Sequence, residues 1–398
     1  MRVAIVAEYY PRPSHPGLGV WAHRQAMAVR DLGVDVRVLV LERPIPPLAA
    51  ARALPRTGPL REWARVARAQ PDRTVMDGIE VRYVRFIAPP RPWSYGSWGR
   101  WAAPPLRQAL DRLAASWQPD LIHAHYAVPA GFAAREWLER RGSAAPLVVS
   151  VHGGDLTYAA PRSPGGRRAV GRTLAGAEAV TVNSTLTGRG VEELIGPRGG
   201  VTVVHPGADL MEPVQKAPEP TLVTIANLEP HKSQADVIRA VALLAPKYPR
   251  LRYVLVGKGP QREELERLAS QLGVADRLRF TGALPHEAAR AEVARGHVHV
   301  MPSVHDGFGA AHIEAMSAGV PTIAGAGTGS EDIARAGEGA LLVRAGDVER
   351  LTEVLDGLLS DSAERERLGE AARRTVAEHF TWERCGEATL AVYRSVLD

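Results

Sequence analysis

Only one cysteine, Cys385, occurs in the 398 residues, which excludes an intrachain disulfide and any cysteine-based metal cluster. In a late helix it reads as a small hydrophobe rather than a nucleophile. Long apolar runs are also missing: stretches such as 36–41 have strand length and are interrupted by charge, so no membrane span is expected. The chain opens on a strand pattern at 3–7, without the basic and then apolar order of a secretory signal. The expected location is therefore the cytoplasm. What is present is the composition of a globular protein, 45% hydrophobic and 23% charged, at a length that favours two cores over one.

Apolar runs of strand length alternate with helical patterns through most of the chain. Strands are expected at 2–7, 35–41, 79–86, 120–124, 147–152, 179–183 and 201–204, and again at 221–226, 252–256, 277–281, 297–301, 320–324 and 340–343. Strands separated by helices of this length read as right-handed βαβ units in parallel sheets covered on both faces. Between the two series lies HPGADLMEPVQKAPEP, residues 205–220, whose prolines and polar filling read as a linker. The expected fold class is α/β, with doubly wound Rossmann-like domains at 1–204 and 221–379 and a closing amphipathic helix in 380–398 that packs back toward the first domain. A single large βα barrel is the competing architecture, and the central linker and the chain length argue against it.

Charge is unevenly spread. Residues 51–107 hold eleven arginines against four acidic residues, a larger positive excess than the +5 of the whole chain. Trp63, Trp93, Tyr95, Trp98 and Trp101 lie in the same stretch. Arginine with tryptophan suits an anionic membrane surface, peripheral at its inner face. A variable loop whose aromatics stack on a ligand's rings or pack locally is the equal alternative. Nucleic acid is not expected, because the basic residues follow no recognisable module.

Two carboxylates need explaining. SVHDGFGAAHIEAMSAGVPTIAG, residues 303–325, sets Asp306 before a Gly-Phe-Gly loop and Glu314 inside a short apolar helix, where an unpaired carboxylate is costly. Eight positions of helix span roughly 12 Å, more than the roughly 5–9.5 Å between paired glycosidase carboxylates. One extended ligand gripped at both ends fits better. Between the two, the amides of Gly307, Phe308, Gly309 and Ala310 open a helix, where unpaired donors and the dipole favour phosphate. Gly17 and Gly19, at the first strand-to-helix turn, would let a backbone approach a phosphate, although such a pair serves tight packing as often. Lys232, after the strand at 221–226, is a candidate diphosphate counter-charge. His152, ending the strand at 147–152, is either a ligand or a strand cap.

In that order, the glycine loop, the strand-end His-Gly, NLEPHK, VGKGP (256–260), FTG (280–282) and DGFGAAHIEAMSAGVP closely resemble the retaining glycosyltransferases of family 4. A weaker likeness, at HAHYAVPAGFAA (123–134), is to enzymes building bacterial surface polysaccharides. The resemblance implies the GT-B arrangement, two facing Rossmann-like domains with a cleft between them. It implies a UDP- or GDP-type sugar donor, a sugar or lipid-linked acceptor, retention of anomeric configuration, and no metal or other cofactor. Its motif places Glu314 on the ribose hydroxyls and Asp306 on the donor sugar, with help from the amides of Phe308, Gly309 and Ala310. Lys232 and Gly19, with Gly17, would meet the diphosphate, and Gly257 and Leu284 would border the base. His152, with His125 and Asp155, would form the acceptor side. Catalysis would rest on His152, Asp306 and Lys232. Two departures stand out: Asp306 replaces the usual glutamate, and Asn227 replaces an arginine, removing a bidentate phosphate ligand that His231 or Arg24 could stand in for. A nucleotide-sugar epimerase or hydrolase, and a non-catalytic sensor, are the alternatives.

Overall fold

The computed structural model describes residues 1–44, 61, 64–65, 68–197 and 199–398, with the side chains at 92 and 93 outside the description. It divides into two compact units, Met1–Val204 with Cys385–Asp398, and His205–Arg384.

In the first unit, β1 (Arg2–Ala7) shows why a parallel sheet forms. Ala4 and Val6 belong to one apolar cluster and Val3, Ile5 and Ala7 to another. Alternate residues point to opposite faces, so a strand apolar at every position must be covered on both. The remaining strands are β2 (Asp35–Glu42), β3 (Arg73–Met76), β4 (Ile79–Arg85), β5 (Leu121–His125), β6 (Leu147–Val151), β7 (Ala179–Val182) and β8 (Val201–Val203). Among the described residues their order is β3-β4-β2-β1-β5-β6-β7-β8, parallel throughout except that β3 pairs antiparallel with β4. The strand order turns back at β1 and β5, which opens a crevice at their carboxyl ends.

The second unit repeats the plan. Its strands are β9 (Thr221–Ile225), β10 (Arg252–Val256), β11 (Leu278–Gly282), β12 (Val298–Met301), β13 (Thr322–Gly325) and β14 (Ala340–Val343). They lie in the order β11-β10-β9-β12-β13-β14, all parallel. Here the switch point falls between β9 and β12. The α/β doubly wound expectation therefore holds for both units, with strand limits within two residues of those read from the sequence.

Three details go beyond the sequence expectations. The strand β3 was not anticipated: it is a four-residue edge strand with half its residues exposed, joined to β4 through Asp77 and Gly78, both at positive φ. An Asp-Gly pair of that kind is a hairpin signal. Of the three aromatics named in this stretch whose side chains are described, two are interior, in keeping with the local-packing alternative. Tyr95 and Trp98 are buried, each 3% exposed, whereas Trp101 is 48% exposed. Trp98 sits on the apolar face of the helix Trp98–Ser116 with Ala102, Leu106, Leu110 and Leu113. Arg73 and Arg82 pair with Glu80, and Arg85 with Asp72. Trp63, Arg52 and Arg56, and the side chain of Trp93, lie outside the described residues. Lastly, the segment read as a linker, 205–220, is anchored at several points. It carries neither helix nor strand, yet Ala208 N–H donates to Phe380 O at 2.8 Å, Ala217 N–H to Arg295 O at 2.9 Å and Lys216 Nζ to Ala294 O at 2.9 Å.

The C-terminal helix Trp382–Ser395 runs into the first unit. Gly386 abuts Ala28, where an added Cβ would meet Ala28 Cβ at 2.9 Å. Gln25 Nε2 donates to Thr389 Oγ1 at 2.7 Å. Cys385 is buried. No helix among the described residues is long and apolar enough to cross a membrane.

Candidate active site

The motif residues of the second unit gather at the carboxyl ends of its strands, around the switch point. Lys232 ends the short 3-10 turn Pro230–Lys232 after β9. Asp306 lies in the loop after β12. Nζ of Lys232 is 2.9 Å from Oδ2 of Asp306, with both side chains 16% exposed. Ser303 Oγ donates to the same oxygen at 3.0 Å. A lysine and a carboxylate 74 positions apart in sequence are thus clamped across the crevice.

The loop after Asp306 is shaped by glycines. Gly309, at φ 89°, caps the helix Ala310–Ser317. Gly329 N–H donates to Asp306 O at 2.8 Å, and a Cβ at Gly329 would stand 1.9 Å from Gly307 O. Gly329→Ala must therefore displace the backbone that carries Asp306. Overpacking of this kind costs roughly 1–3 kcal/mol, and here the obstructing atoms are backbone. A lowered melting temperature together with weakened sugar-nucleotide binding in calorimetry is the expected result. Phe308 turns its ring inward, stacked on His205 at 5.2 Å and against Phe380, so only its backbone faces the loop's outer side. Ala310 is exposed at the first turn, where helix amides have no intrahelical acceptor.

Glu314 sits partly buried on that helix. Burial raises its carboxyl above the ordinary value; the charges of His286 and Arg290 oppose the shift and that of Asp209 adds to it. On the same helix His312 is fully buried, with Nδ1 2.9 Å from Thr322 Oγ1 and Nε2 without a partner among the described residues. Burial, and then the nearby Lys232 charge, pushes His312 down to about 3.

Gly257 follows β10 at φ 143°, and a Cβ there would lie 1.9 Å from Ala226 O. The VGKGP turn is therefore pressed flat on the loop after β9, with Leu228 N–H bonded to Lys258 O at 3.1 Å. Leu284 is half-buried against the cluster that includes Val223, Val254 and Val256. Asn227 is exposed, and its carbonyl accepts from Gln234 Nε2 at 2.9 Å. His231 pairs with Glu229 at 3.4 Å; burial and the Lys232 charge lower its pKa, which makes it a poor replacement for the missing arginine.

In the first unit the candidate residues also meet at strand ends. Gly19 has φ 66°, and a Cβ there would stand 2.2 Å from Tyr9 C, so only glycine fits. Gly17 is exposed with open space around it, and nothing in the structure explains its identity. His152 is half-buried, with its ring near those of Trp21 at 5.9 Å and Tyr126 at 5.2 Å. His125 and Asp155 are fully buried, so neither side chain is open to an acceptor, contrary to their placement on that side. Asp155 instead holds a turn: its Oδ1 accepts from Ala127 N–H at 3.0 Å and Val128 N–H at 3.4 Å. Its Oδ2 has no partner among the described residues.

Burial pushes Asp155 from 3.8 up to about 8; the two amides oppose this and the Glu8 charge adds to it. The folded state therefore holds a proton that the unfolded chain has released, and stability falls as pH rises between about 4 and about 8. Asp155→Asn removes that slope. Chemical denaturation at several pH values is expected to show the native protein losing stability relative to the variant across this window.

Sequence reading missed Glu8 and Arg91. Glu8 is 9% exposed, accepts from Tyr95 Oη at 2.6 Å and is raised by burial against the Arg91 charge. Arg91 lies over Tyr95 at 4.3 Å and Tyr158 at 5.0 Å. A strand-end glutamate followed by two tyrosines was the available signal.

Two parallel-sheet Rossmann-like domains, each with glycine-shaped loops at its switch point, define the GT-B class of glycosyltransferase. Family models match in tandem: "Glycosyl transferase 4-like domain" over residues 16–207 and "Glycosyl transferases group 1" over 210–375. The chain belongs to the group 1, family 4-type glycosyltransferases. It is 29% identical over 269 residues to a GDP-mannose-dependent alpha-(1-6)-phosphatidylinositol monomannoside mannosyltransferase of Mycolicibacterium smegmatis, covering 63% of this chain and 70% of that protein. It is 30% identical over 311 residues to the D-inositol 3-phosphate glycosyltransferase of Streptomyces avermitilis, covering 70% and 66%. Among solved structures, sucrose-phosphate synthase from Thermosynechococcus elongatus superposes with a TM-score of 0.77 at 21% identity, over 99% of this chain and 98% of that one. HepE of Anabaena, in complex with UDP and glucose, gives 0.73 at 17% identity, over 99% and 100%.

Proposed function

We propose that the protein transfers a hexose from a GDP- or UDP-linked donor to a hydroxyl of a sugar or lipid-linked acceptor, with retention and without a metal. The observation that carries this is the Lys232–Asp306 clamp at the β9–β12 switch point, with Glu314 on the helix that follows. Lys232 and the first-turn amides of that helix supply fixed positive charge where the diphosphate leaves, which is the largest single term in such catalysis. Glu314 takes the ribose hydroxyls as a carboxylate acceptor. Asp306 gives up Lys232 to the diphosphate and accepts from the donor sugar. The departing phosphate oxygen takes the proton of the acceptor hydroxyl as that hydroxyl attacks from the same face.

Support for the donor comes from the relatives, one named as GDP-mannose-dependent, and from the structural neighbour solved with UDP. An inositol phosphate or phosphatidylinositol glycoside in the relatives' names supports a polyol or lipid-linked acceptor. The ammonium of Lys232, 2.9 Å from Asp306 Oδ2, is the cation this reading assigns to the leaving diphosphate. The test is the anomeric configuration of the product, by proton NMR in the presence of a chelator. Product with the donor's configuration is expected. An inverted product, or activity lost to the chelator and restored by magnesium, overturns the reading.

A further inference from the structure

His125 closes β5 and His152 follows β6, its neighbour in the sheet, where His125 stands beside Ser150. The two imidazoles are parallel to within 3°, with centroids 5.2 Å apart, and His125 Nδ1 lies 3.0 Å from His152 Nε2. One of these nitrogens must donate. If His152 donated, His125 would accept at Nδ1 and carry its own proton on Nε2. That nitrogen is fully buried and has no partner among the described residues. A buried N–H without an acceptor is rare and costs its whole desolvation penalty, whereas an unused acceptor is better tolerated.

The surroundings offer His125 no other arrangement. His123, 4.6 Å away ring to ring, is engaged at both nitrogens, at 2.7 Å to Tyr393 Oη and 2.7 Å to Ser150 Oγ. Ser150 Oγ in turn meets Thr181 Oγ1 at 2.5 Å. Trp21 and Tyr126 face the outer ring of the pair.

We propose that His125 is a positioning residue that donates its Nδ1–H to His152 Nε2 and so fixes His152 as the Nδ1–H tautomer, leaving it a hydrogen-bond donor and no base. Which ring nitrogen carries the proton is set by the bond the other makes, and the free edge of His152 is then an N–H. Such a group suits the oxygen of a sugar or acceptor hydroxyl, or charge developing on it. It cannot remove the acceptor's proton. Burial holds His152 down at about 4, so the ring is neutral at working pH. The consequence for turnover rests on the transferase reading above; the tautomer does not.

The test is nitrogen-15 NMR of the full-length protein labelled at histidine, at neutral pH, with the His152 signals identified by their loss in His152→Gln. The native protein should show His152 protonated at Nδ1, and this reading needs no further variant. In His125→Phe, which keeps a ring but no donor, His152 should revert to Nε2–H and kcat should fall roughly 10- to 100-fold with donor KM little changed. In His125→Asn, whose amide N–H falls near the imidazole Nδ1–H, the Nδ1–H signature and most of kcat should return. An Nε2–H tautomer in the native protein overturns the proposal, as does equal impairment by Phe and Asn. Absence of turnover with every sugar nucleotide would count against the transferase reading, while the tautomer in the native protein would still decide this one.

Discussion

On the proposed donor site, Glu314→Ala is expected to raise KM for the sugar nucleotide roughly 100-fold or more, because it would remove two hydrogen bonds from ribose hydroxyls to a carboxylate, each worth about 1.5–3 kcal/mol. The residue stands in an eight-residue helix whose other positions are largely apolar or small, and burial raises its carboxyl. The fold thus carries a charge it would be more stable without. The sign follows: with the folded value above the unfolded one, ionisation near neutral pH works against the native state. Glu314→Gln is therefore expected to raise the melting temperature at neutral pH while weakening donor binding. In the native protein, donor affinity should fall as acid protonates Glu314. Calorimetric titration with nucleoside diphosphate, alongside thermal melts, checks both halves. A variant that lost stability and kept affinity would show that Glu314 serves packing.

Lys232→Ala is expected to reduce kcat about 100- to 1000-fold, the range for removing one donor aimed at developing negative charge. The loss should exceed that of a neutralised site, because Asp306 would then face the diphosphate without its 2.9 Å partner. The double variant Lys232→Ala/Asp306→Ala separates the two effects: it should bind nucleoside diphosphate more tightly than Lys232→Ala alone. Asp306→Asn should likewise tighten the free diphosphate several-fold, since Lys232 no longer has to leave a carboxylate, while turnover of the sugar nucleotide drops. Additive effects in this cycle would mean that the two groups do not act on one ligand.

Much of the fold was legible because both sheets are parallel and covered on both faces, which makes each strand an apolar run between helices. The edge strand β3 escaped because half its residues face solvent and only Asp77-Gly78 marks it. For Trp98 the membrane-surface and local-packing readings stood level in the sequence; its helical spacing with Ala102 and Leu106 places it inside. Within the site, glycine loops betray backbone approach, and Asp306 and Glu314 are anomalous in apolar company. Burial is what the sequence hid. A polar residue at a strand's end looks the same whether it is half-buried, as His152 is, or fully buried like His125 and Asp155. The Lys232–Asp306 pair was equally hidden, because the contact depends on β9 and β12 being neighbours.

The most direct measurement is nucleoside diphosphate release from a panel of GDP-, UDP-, ADP- and TDP-sugars, with chelator present, by the native protein and by Glu314→Ala. Release from one donor that disappears in the variant is the predicted result. No release from any donor by the native protein, or release undiminished by Glu314→Ala, would contradict the donor site described for the second unit.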